Sequence, residues 1–431
     1  MRTLVDATSG HDDLTSREAR AQRIARALIL ALAVAVGLAA FIGAGVGETV
    51  EEAANRAAEA PRLGGDYPAF YGAGSIILDG DLDSLYVEDR QIEAQRGLGI
   101  DGYLAFAYPP HVAVAYAPLA ALPYQVSYLI HTALMAAAYF ATLAVLSPIV
   151  PLIARWRLPL LAFGFTFYPL AVAIGGGQNA AITVLGFAVI WRALHDDREW
   201  LAGVVAGLMM YRPQYALAAI GLMLLSKHWR AVGAAAVTTA LTWAGTAVVL
   251  GVGWLNEWLE AVLPFVERDA EVNAANSISA LGFLQAMLSV DSTLALVLGL
   301  AIAGGVTVTL MYLWSRPDKF ALSHRMGALA IGSVIISPHA NFYDAAVLVI
   351  GAGAILVSAD RSTAPLKILG MGWVAFLPFP VIADFPASPL AIVMWVAFVA
   401  MVIATVNPSR SGEVPNSAVP MVTESQVVSS A

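Results

Sequence analysis

The segment Gly65–Phe70 places an aspartate directly before a predicted helix, shortly after a long apolar run. Its sequence is GDYPAF, so Asp66 precedes a helix whose first turn contains Pro68. Aspartate is a preferred N-cap residue and proline fits a first turn, so capping alone could explain this residue. A carboxylate beside a membrane could also act as a general base that takes a proton from a hydroxyl group. The two roles are compatible, and Asp66 is the candidate catalytic residue.

Two further segments place polar side chains between short apolar runs. In the segment 175–179, three glycines permit close approach of the backbone and are followed by Gln178 and Asn179. Arg212 precedes a proline, and a cation at membrane depth needs an anionic partner. That partner could be Asp344, in a structural ion pair, or the phosphate group of a ligand. Both alternatives stay open from the sequence.

The segment 337–344, with the sequence SPHANFYD, combines three residue types that occur at polar sites. Its serine and proline predict a helix that begins at residue 338, with His339 in the first turn. His339 and Tyr343 would then share one helix face, with Asp344 beside them. Asn276 and Ser277 precede another apolar run and could form a simple helix cap or contact a substrate.

The composition predicts which kind of protein presents these residues. The chain has 431 residues, of which 59% are hydrophobic and 13% charged, too little charge for a soluble surface. We therefore expect an all-α polytopic membrane protein. The net charge of −8 argues against a nucleic-acid partner. Cysteine is absent and the seven histidines lack metal-ligand spacing, so we predict no metal site and no cofactor.

The apolar runs predict about twelve transmembrane helices, since a helix needs about twenty apolar residues to cross a bilayer. Short runs interrupted by glycine or proline leave helix ends inside the membrane, which is tolerated where they face protein or a wet cavity. The longer runs are 24–45, 124–146, 229–252, 291–314, 340–358, 365–383 and 387–406, and the shorter ones are 158–174, 179–194, 199–211, 213–226 and 326–337.

The positions of the basic residues predict the orientation of these helices. Most of the 23 Lys and Arg residues fall in alternate loops, on the side of the N-terminus, which is typical of the cytoplasmic side. This predicts a cytoplasmic segment 1–23, a transmembrane domain 24–406 and a disordered cytoplasmic tail 407–431. The loops at about 46–110 and 253–280 would face outward, and the first would be partly helical.

The helices predicted to begin near residues 178, 213, 277 and 338 would all start on this outer side. Helix N-termini carry partial positive charge and free N–H groups, so together they favour an anion. The obvious anion outside the cell and near the bilayer is the phosphate group of a lipid carrier. If the motifs are only structural, Asp66, Arg212 and His339 should instead point to separate places.

In this order, the motifs resemble glycosyltransferase family 87, the polyprenyl-phosphate-mannose-dependent α-1,2-mannosyltransferases of the GT-C fold. The resemblance covers about residues 60–350, and the ordered set is more specific than any one motif. One departure is Arg212, because the family commonly has lysine before this proline. The matching residues are Asp66 with Phe70-Tyr71, Gly80 with Leu85-Tyr86, Tyr108-Pro109-Pro110, Pro118, Leu122-Pro123, Gly177-Gln178-Asn179, Ala202-Gly203, Gly207, Arg212-Pro213, Asn276-Ser277, Ser337-Pro338-His339 and Tyr343-Asp344.

The resemblance implies an inverting, multi-pass hexosyltransferase of the cell membrane with an extracytoplasmic active site and Asp66 as base. Its expected partners are a polyprenyl-phosphate sugar donor, a glycolipid or glycan acceptor, and membrane lipids. Mannose as the sugar rests on the resemblance alone. The alternative from another class is a transporter or flippase of a lipid-linked saccharide. The residues expected at the donor phosphate are Arg212, His339, Gln178 and Asn179, and those expected at the substrates are Tyr67, Tyr108, Asn276, Ser277, Tyr343 and Asp344.

Overall fold

The computed structural model describes residues 64–98, 104–357 and 387–406. In these ranges the regular elements are helices, and extended pairing is limited to an isolated bridge between Ser277 and Asn341. The predicted N-terminal segment with the span 24–45, the span 365–383 and the tail 407–431 lie outside the described residues.

The described α-helices are numbered here in chain order, and short 3-10 helices connect some of them. The 3-10 helices are Leu82–Ser84, Met209–Tyr211, Ala274–Asn276 and Phe342–Val347. The α-helices are α1 (Tyr67–Asp79), α2 (Glu88–Gln95), α3 (Pro110–Ala120), α4 (Tyr124–Leu146), α5 (Pro151–Arg155), α6 (Arg157–Thr166), α7 (Tyr168–Gly175), α8 (Ala180–His195), α9 (Glu199–Leu208), α10 (Pro213–Leu225), α11 (Trp229–Leu250), α12 (Trp254–Val272), α13 (Ala280–Leu288), α14 (Thr293–Trp314), α15 (Leu322–Ile335), α16 (Leu348–Val357) and α17 (Pro389–Val406).

Within the described residues, 4 helices are long and apolar enough to cross a membrane, namely α4, α11, α14 and α17. They coincide with four of the predicted long runs. Large apolar side chains on α11 and α14 are exposed, as expected of helices that face lipid tails. Shorter apolar helices of 10–17 residues accompany them, among them α8 and α10. The expectation of an all-helical membrane protein is therefore confirmed for the described chain.

Two clusters of buried side chains hold these helices together. The larger one surrounds α15, in which every residue from 323 to 335 is buried, and it includes Trp191 and Trp314. The smaller one is rich in aromatic rings and packs α1 against α3 and α4. Both clusters contribute to the hydrophobic burial that positions the polar segments between them.

The acidic segment after α1 forms a turn. Gly80 ends the helix with a left-handed backbone (φ 75°). Arg90 of α2 then pairs with Asp79 and Asp81, at 2.5 and 2.9 Å. These carboxylates serve to dock α2 onto the end of α1.

The prediction of a helix that begins at residue 338 is wrong. The backbone from 337 to 341 is irregular, and the 3-10 helix begins only at Phe342. The Ser337 hydroxyl donates to the His339 carbonyl oxygen (2.5 Å), which turns the chain. The Ile278 amide then donates to the Ala340 carbonyl oxygen (2.8 Å), which holds that residue in extended pairing. His339 and Tyr343 therefore do not share a helix face.

Candidate functional site

Two glycine-containing segments interlock and bring Asp66 next to Gln178. The Asp66 amide donates to the Gly176 carbonyl oxygen (2.9 Å). A Cβ atom on Gly65 would lie 2.7 Å from that oxygen. Gly177 has a left-handed backbone (φ +72°), and a Cβ atom there would lie 2.5 Å from the Cβ atom of Tyr67. The start of α1 and the segment before α8 can approach this closely because these positions lack side chains.

The Asp66 side chain does not cap α1. Instead, its Oδ2 atom accepts a hydrogen bond from the Gln178 amide nitrogen. The Gln178 amide oxygen accepts from Arg212 Nη2 (3.5 Å). Because arginine has only donors, the oxygen of Gln178 must face Arg212, which leaves the nitrogen for Asp66. The carboxylate and the guanidinium are thus connected through one oriented amide.

Arg212 stands at the N-cap position of α10 and forms an ion pair with Asp344. Both side chains are only 5% exposed. The second terminal nitrogen, Nη2, donates to the Tyr108 hydroxyl (3.0 Å) as well as to Gln178. The Asp344 carboxylate also accepts a hydrogen bond from the backbone N–H of Asn341 (3.2 Å). The structural ion pair that the sequence left as an alternative is therefore present, and it fixes the guanidinium in place.

Asp66, Gln178, Arg212 and His339 line one cavity of about 390 Å³, as expected from the sequence. We call it the arginine cavity. Tyr108, Tyr343 and Asp344 belong to its polar wall. Gln214, Asp269, Asn273 and Asn341 add further polar groups to its lining. The apolar and aromatic lining includes Phe70, Trp258, Val262, Phe265 and Val266.

A second cavity, of about 720 Å³, adjoins the first and shares half of its lining with it. The shared residues are Asp66, Leu104, Ala105, Gln178, Phe265, Asp269, Asn273, Asn341 and Tyr343. We call the second cavity the asparagine cavity, because Asn273, Asn276 and Asn341 line it. Its remaining polar lining includes Glu88, Arg268 and Asp269, and its aromatic lining includes Phe265, Phe342 and Tyr343.

The helix α12 covers both cavities, with Asp269 over the predicted site. Asp269 Oδ2 lies 2.7 Å from His339 Nδ1, and Asp269 Oδ1 accepts from the Asn273 amide (2.7 Å). Burial alone would raise the pKa of the Asp269 carboxyl. The bond to His339, its charge and the bond from Asn273 outweigh burial, so the pKa lies below its usual value. His339 thus binds the covering helix, in addition to lining the arginine cavity.

Three of the predicted site residues lie outside both cavity walls. Tyr67 is fully buried, and its hydroxyl lies 2.5 Å from that of Ser127. Asn179 is buried at the N-cap of α8. Ser277 pairs with the Ala340 carbonyl oxygen (3.3 Å), and it is Ser279 that caps α13. The other predicted site residues line one or both cavities, and these three do not.

Sequence reasoning missed Asp269, Asn273 and Asn341. A signal for the first was present, since Trp258, Val262, Phe265 and Asp269 recur at helical spacing within the loop predicted to face outward. They lie on one face of α12 and line the arginine cavity. Asn341 carried no signal, because its place depends on the unexpected turn before it.

Among the described residues, no group of three or more His, Asp or Glu could hold a metal ion. The chemistry that this part of the chain offers is that of a carboxylate, a buried guanidinium, an imidazole and several carboxamides. This set can accept a proton and can stabilise an anion.

A sequence profile of glycosyltransferase family 87 matches residues 106–338. The match covers more than half of the chain, including Gln178 and Arg212, while Asp66 precedes it. No curated protein and no solved structure matches the chain significantly. The chain therefore belongs to glycosyltransferase family 87 and is a membrane glycosyltransferase.

Proposed function

We propose that the chain moves a hexose, mannose, from a polyprenyl-phosphate donor to a hydroxyl group of an extracytoplasmic glycolipid or glycan. The observation that carries this proposal is the connection of Asp66 to Arg212 through Gln178 along one cavity wall. A transferase for such a donor needs a base at the attacking hydroxyl and a cation at the departing phosphate. The arginine cavity offers both on one wall.

Asp66 would act as the general base. It would take the proton of the acceptor hydroxyl while that oxygen forms a bond to the anomeric carbon. The bond from this carbon to the phosphate oxygen would break at the same time, and polyprenyl phosphate would leave with the electron pair. Direct attack from the opposite face inverts the anomeric configuration. The hydrogen bond from Gln178 would hold the carboxylate in one orientation.

Arg212 would stabilise the departing phosphate. Its Nη1 atom is held by Asp344, and its Nη2 atom donates to the Tyr108 hydroxyl and the Gln178 amide oxygen, so a phosphate would bind Nη2 by displacing one of these two neutral partners. The N-terminus of α10 follows directly and adds partial positive charge. His339 lines the same cavity and could donate a further hydrogen bond. Fixed donors of this kind stabilise developing charge without reorganising during the reaction.

The membrane setting is part of the same proposal. The 4 long apolar helices and the shorter ones support a polytopic protein. The positive charge of alternate loops supports about twelve spans, with Asp66 on the outer side of the cell membrane. The domain limits 1–23, 24–406 and 407–431 follow from the same pattern. Family membership does not favour the alternative of a transporter or flippase.

The test is sugar transfer by the full-length chain in proteoliposomes, with polyprenyl-phosphate mannose that carries a labelled hexose. We expect a product whose anomeric configuration is opposite to that of the donor, as read by NMR. A nucleotide sugar offered instead should give no product. Retention of configuration, or use of the nucleotide sugar, would contradict the proposal.

A further inference from the structure

The helix α2 holds the segment 104–108 through the side chains of two glutamines. The Gln95 amide nitrogen donates to the Leu104 carbonyl oxygen (2.9 Å), and the Gln95 amide oxygen accepts from the Leu104 N–H (2.9 Å). The Gln91 amide oxygen accepts from the Phe106 N–H (2.9 Å), and its nitrogen reaches the Phe106 carbonyl oxygen (3.5 Å). Because a backbone N–H can only donate, these bonds fix the orientation of both amides.

Two glutamines that lie one helical turn apart match alternate residues of an extended chain. Four residues of an α-helix rise by about 6 Å and two residues of extended backbone by about 6.6 Å, so both pairings form at once. Gln91 and Gln95 are only 4% and 1% exposed, so their amides are removed from water and need partners. The Gln91 nitrogen also donates to the Leu85 carbonyl oxygen (2.9 Å). The side chains of α2 thus take the place of a neighbouring β-strand for the segment 104–108.

The helix α2 is itself fixed to α1, at whose start Asp66 lies. The ion pairs of Arg90 dock α2 onto the end of α1. A Cβ atom on Gly72 of α1 would lie 2.9 Å from Gln95 Cγ, so α1 packs directly on the stem of that glutamine. The two amides that hold the segment 104–108 therefore keep a fixed position relative to the helix that begins at the candidate base.

The segment 104–108 contacts two parts of the candidate site. The Tyr108 hydroxyl accepts from Arg212 Nη2 (3.0 Å), and Arg212 Cζ lies 5.8 Å from the centre of the Tyr108 ring. The Ala107 carbonyl oxygen accepts from the indole N–H of Trp258 on α12 (3.0 Å). One short segment thus touches both the buried arginine and the helix that covers the cavities, and α2 holds this segment in place.

We infer that Gln91 and Gln95 are positioning residues of this glycosyltransferase, which set the Tyr108 hydroxyl against Arg212 from a helix behind the site. Neither glutamine lines the arginine cavity or the asparagine cavity. Together they form a second connection between the helix of Asp66 and the arginine, besides the amide in the cavity wall. The placement of the segment does not depend on the proposed donor, whereas the kinetic part of its test rests on the proposed function.

Fluorine NMR of the full-length chain without substrate tests the placement of the segment. The chain carries fluorotryptophan and is held in nanodiscs, and Trp258→Phe assigns the Trp258 resonance. Gln95→Met removes both bonds to Leu104 at nearly constant volume, so the hydrogen bond of the Trp258 indole should change and its resonance should shift. Gln125→Met is the matched control, since Gln125 is exposed at the start of α4 outside both linings, and it should leave the resonance unchanged.

An unshifted Trp258 resonance in Gln95→Met would overturn the inference. Gln95→Glu is the second variant if Gln95→Met does not yield folded protein. It keeps the acceptor for the Leu104 N–H and loses the donor to the Leu104 carbonyl oxygen, so it should shift the same resonance by a smaller amount. An unshifted resonance in this variant would overturn the inference in the same way.

Steady-state sugar transfer from the polyprenyl-phosphate donor tests the effect on the arginine. Gln95→Met should lower kcat/KM for this donor about tenfold and leave the KM for the acceptor unchanged. In the Tyr108→Phe background, which lacks the hydroxyl that α2 positions, Gln95→Met should cause less than about a twofold further loss, because the two substitutions remove one connection. A merely structural role would give the full loss in both backgrounds.

Additive losses in Gln95→Met and Tyr108→Phe would therefore reject the glutamine as a positioning residue while the transfer reaction stands. If the native chain transfers no sugar from this donor, the proposed function fails. The fluorine spectra then still decide whether α2 sets the position of the segment 104–108.

Discussion

Two regions enclose the candidate site and are built differently. The inner wall consists of residues 64–70 and 175–179 with Arg212 and Asp344. The roof is the helix α12. In the inner wall, Tyr67, Phe70, Gln178 and the ion pair are buried. In the roof, Trp254 is buried, while its other described side chains are half-buried or exposed.

The roof is attached through a few polar contacts. The Trp258 indole N–H donates to the Ala107 carbonyl oxygen (3.0 Å), Asp269 binds His339, and the exposed Arg268 pairs with Glu88. Regions with few buried apolar contacts open at lower free energy than packed cores. The difference predicts that α12 opens at lower free energy than the inner wall.

The largest expected effect is that of Asp66→Asn in the inner wall. The Asp66 side chain does not cap α1, so its replacement should leave folding and donor binding largely intact. An amide cannot accept the proton of the hydroxyl, so turnover should fall by roughly two to four orders of magnitude. The measurement is labelled-sugar transfer in membranes, with Asp83→Asn, an exposed acid outside both cavities, as control. Near-normal transfer by Asp66→Asn would end the role as base.

The second prediction concerns Arg212. Arg212→Ala should weaken donor binding about a hundredfold, since it removes a charge-assisted contact to the phosphate. It also leaves Asp344 buried without its partner, at a cost of about 3–5 kcal/mol in stability.

The double variant Arg212→Ala/Asp344→Asn should therefore recover stability without recovering donor affinity. Arg212→Lys should bind the donor better than the alanine variant, because it keeps the charge and loses only the planar fork. Affinity in the double variant equal to that of the native chain would remove Arg212 from the donor site.

A third substitution tests the rigidity of the inner wall. Gly177→Ala should reduce the free energy of unfolding by about 2–4 kcal/mol, from its left-handed backbone and the contact with Tyr67. The control is Gly221→Ala on α10, where a Cβ atom meets nothing within 4 Å, and it should be neutral or stabilising. The measurement is thermal unfolding in detergent, which compares the stability of the two variants. Equal stability would show that the interlock does not hold the wall.

The smallest effect is expected in the roof, for Asp269→Asn. It should increase hydrogen exchange of α12 about two- to tenfold, through the loss of one charged contact, and leave exchange of α8 unchanged. Glu267→Gln, exposed on the same helix, is the control.

The stability that Asp269 gives to the roof should decrease at acid pH. Because the folded pKa of Asp269 is lowered, its contribution to stability is complete above the ordinary carboxyl pKa of 3.8 and is lost as the pH falls through the lowered value. In the native chain, hydrogen exchange of the α12 amides should therefore become faster at acid pH. The Asp269→Asn variant should lack this response. An acid response of equal size in the variant would assign it to another group.

The inner wall was largely predictable from the sequence, since local rules set its parts. Proline after Asp66 and Gly80 after α1 mark the two ends of that helix, and both marks agree with the structure. The charges of the loops predict that Asp66, Gln178 and Arg212 lie on one side of the membrane, and this stays a prediction. Their mutual contacts were not predictable, because hydrogen bonds across more than thirty residues depend on packing.

The region around His339 shows where sequence rules fail. Ser-Pro is a favourable helix start, yet here pairing with Ile278 competes with it and holds the backbone extended. Helical spacing places Asp269 on one face of α12, but its contact with His339 was missed because the two residues lie 70 positions apart in the chain. The alternative that Arg212 pairs with Asp344 was weighed from the sequence, and the structure contains that pair.

The wall shared by the two cavities has a consequence for kinetics. A transferase in which the acceptor hydroxyl attacks the donor sugar directly, as proposed for this chain, holds both substrates at once in the joined cavities, without a sugar covalently attached to the protein. Reciprocal plots of initial rate, measured at several fixed acceptor concentrations, should then intersect, as for a ternary complex, rather than run parallel as in a ping-pong scheme.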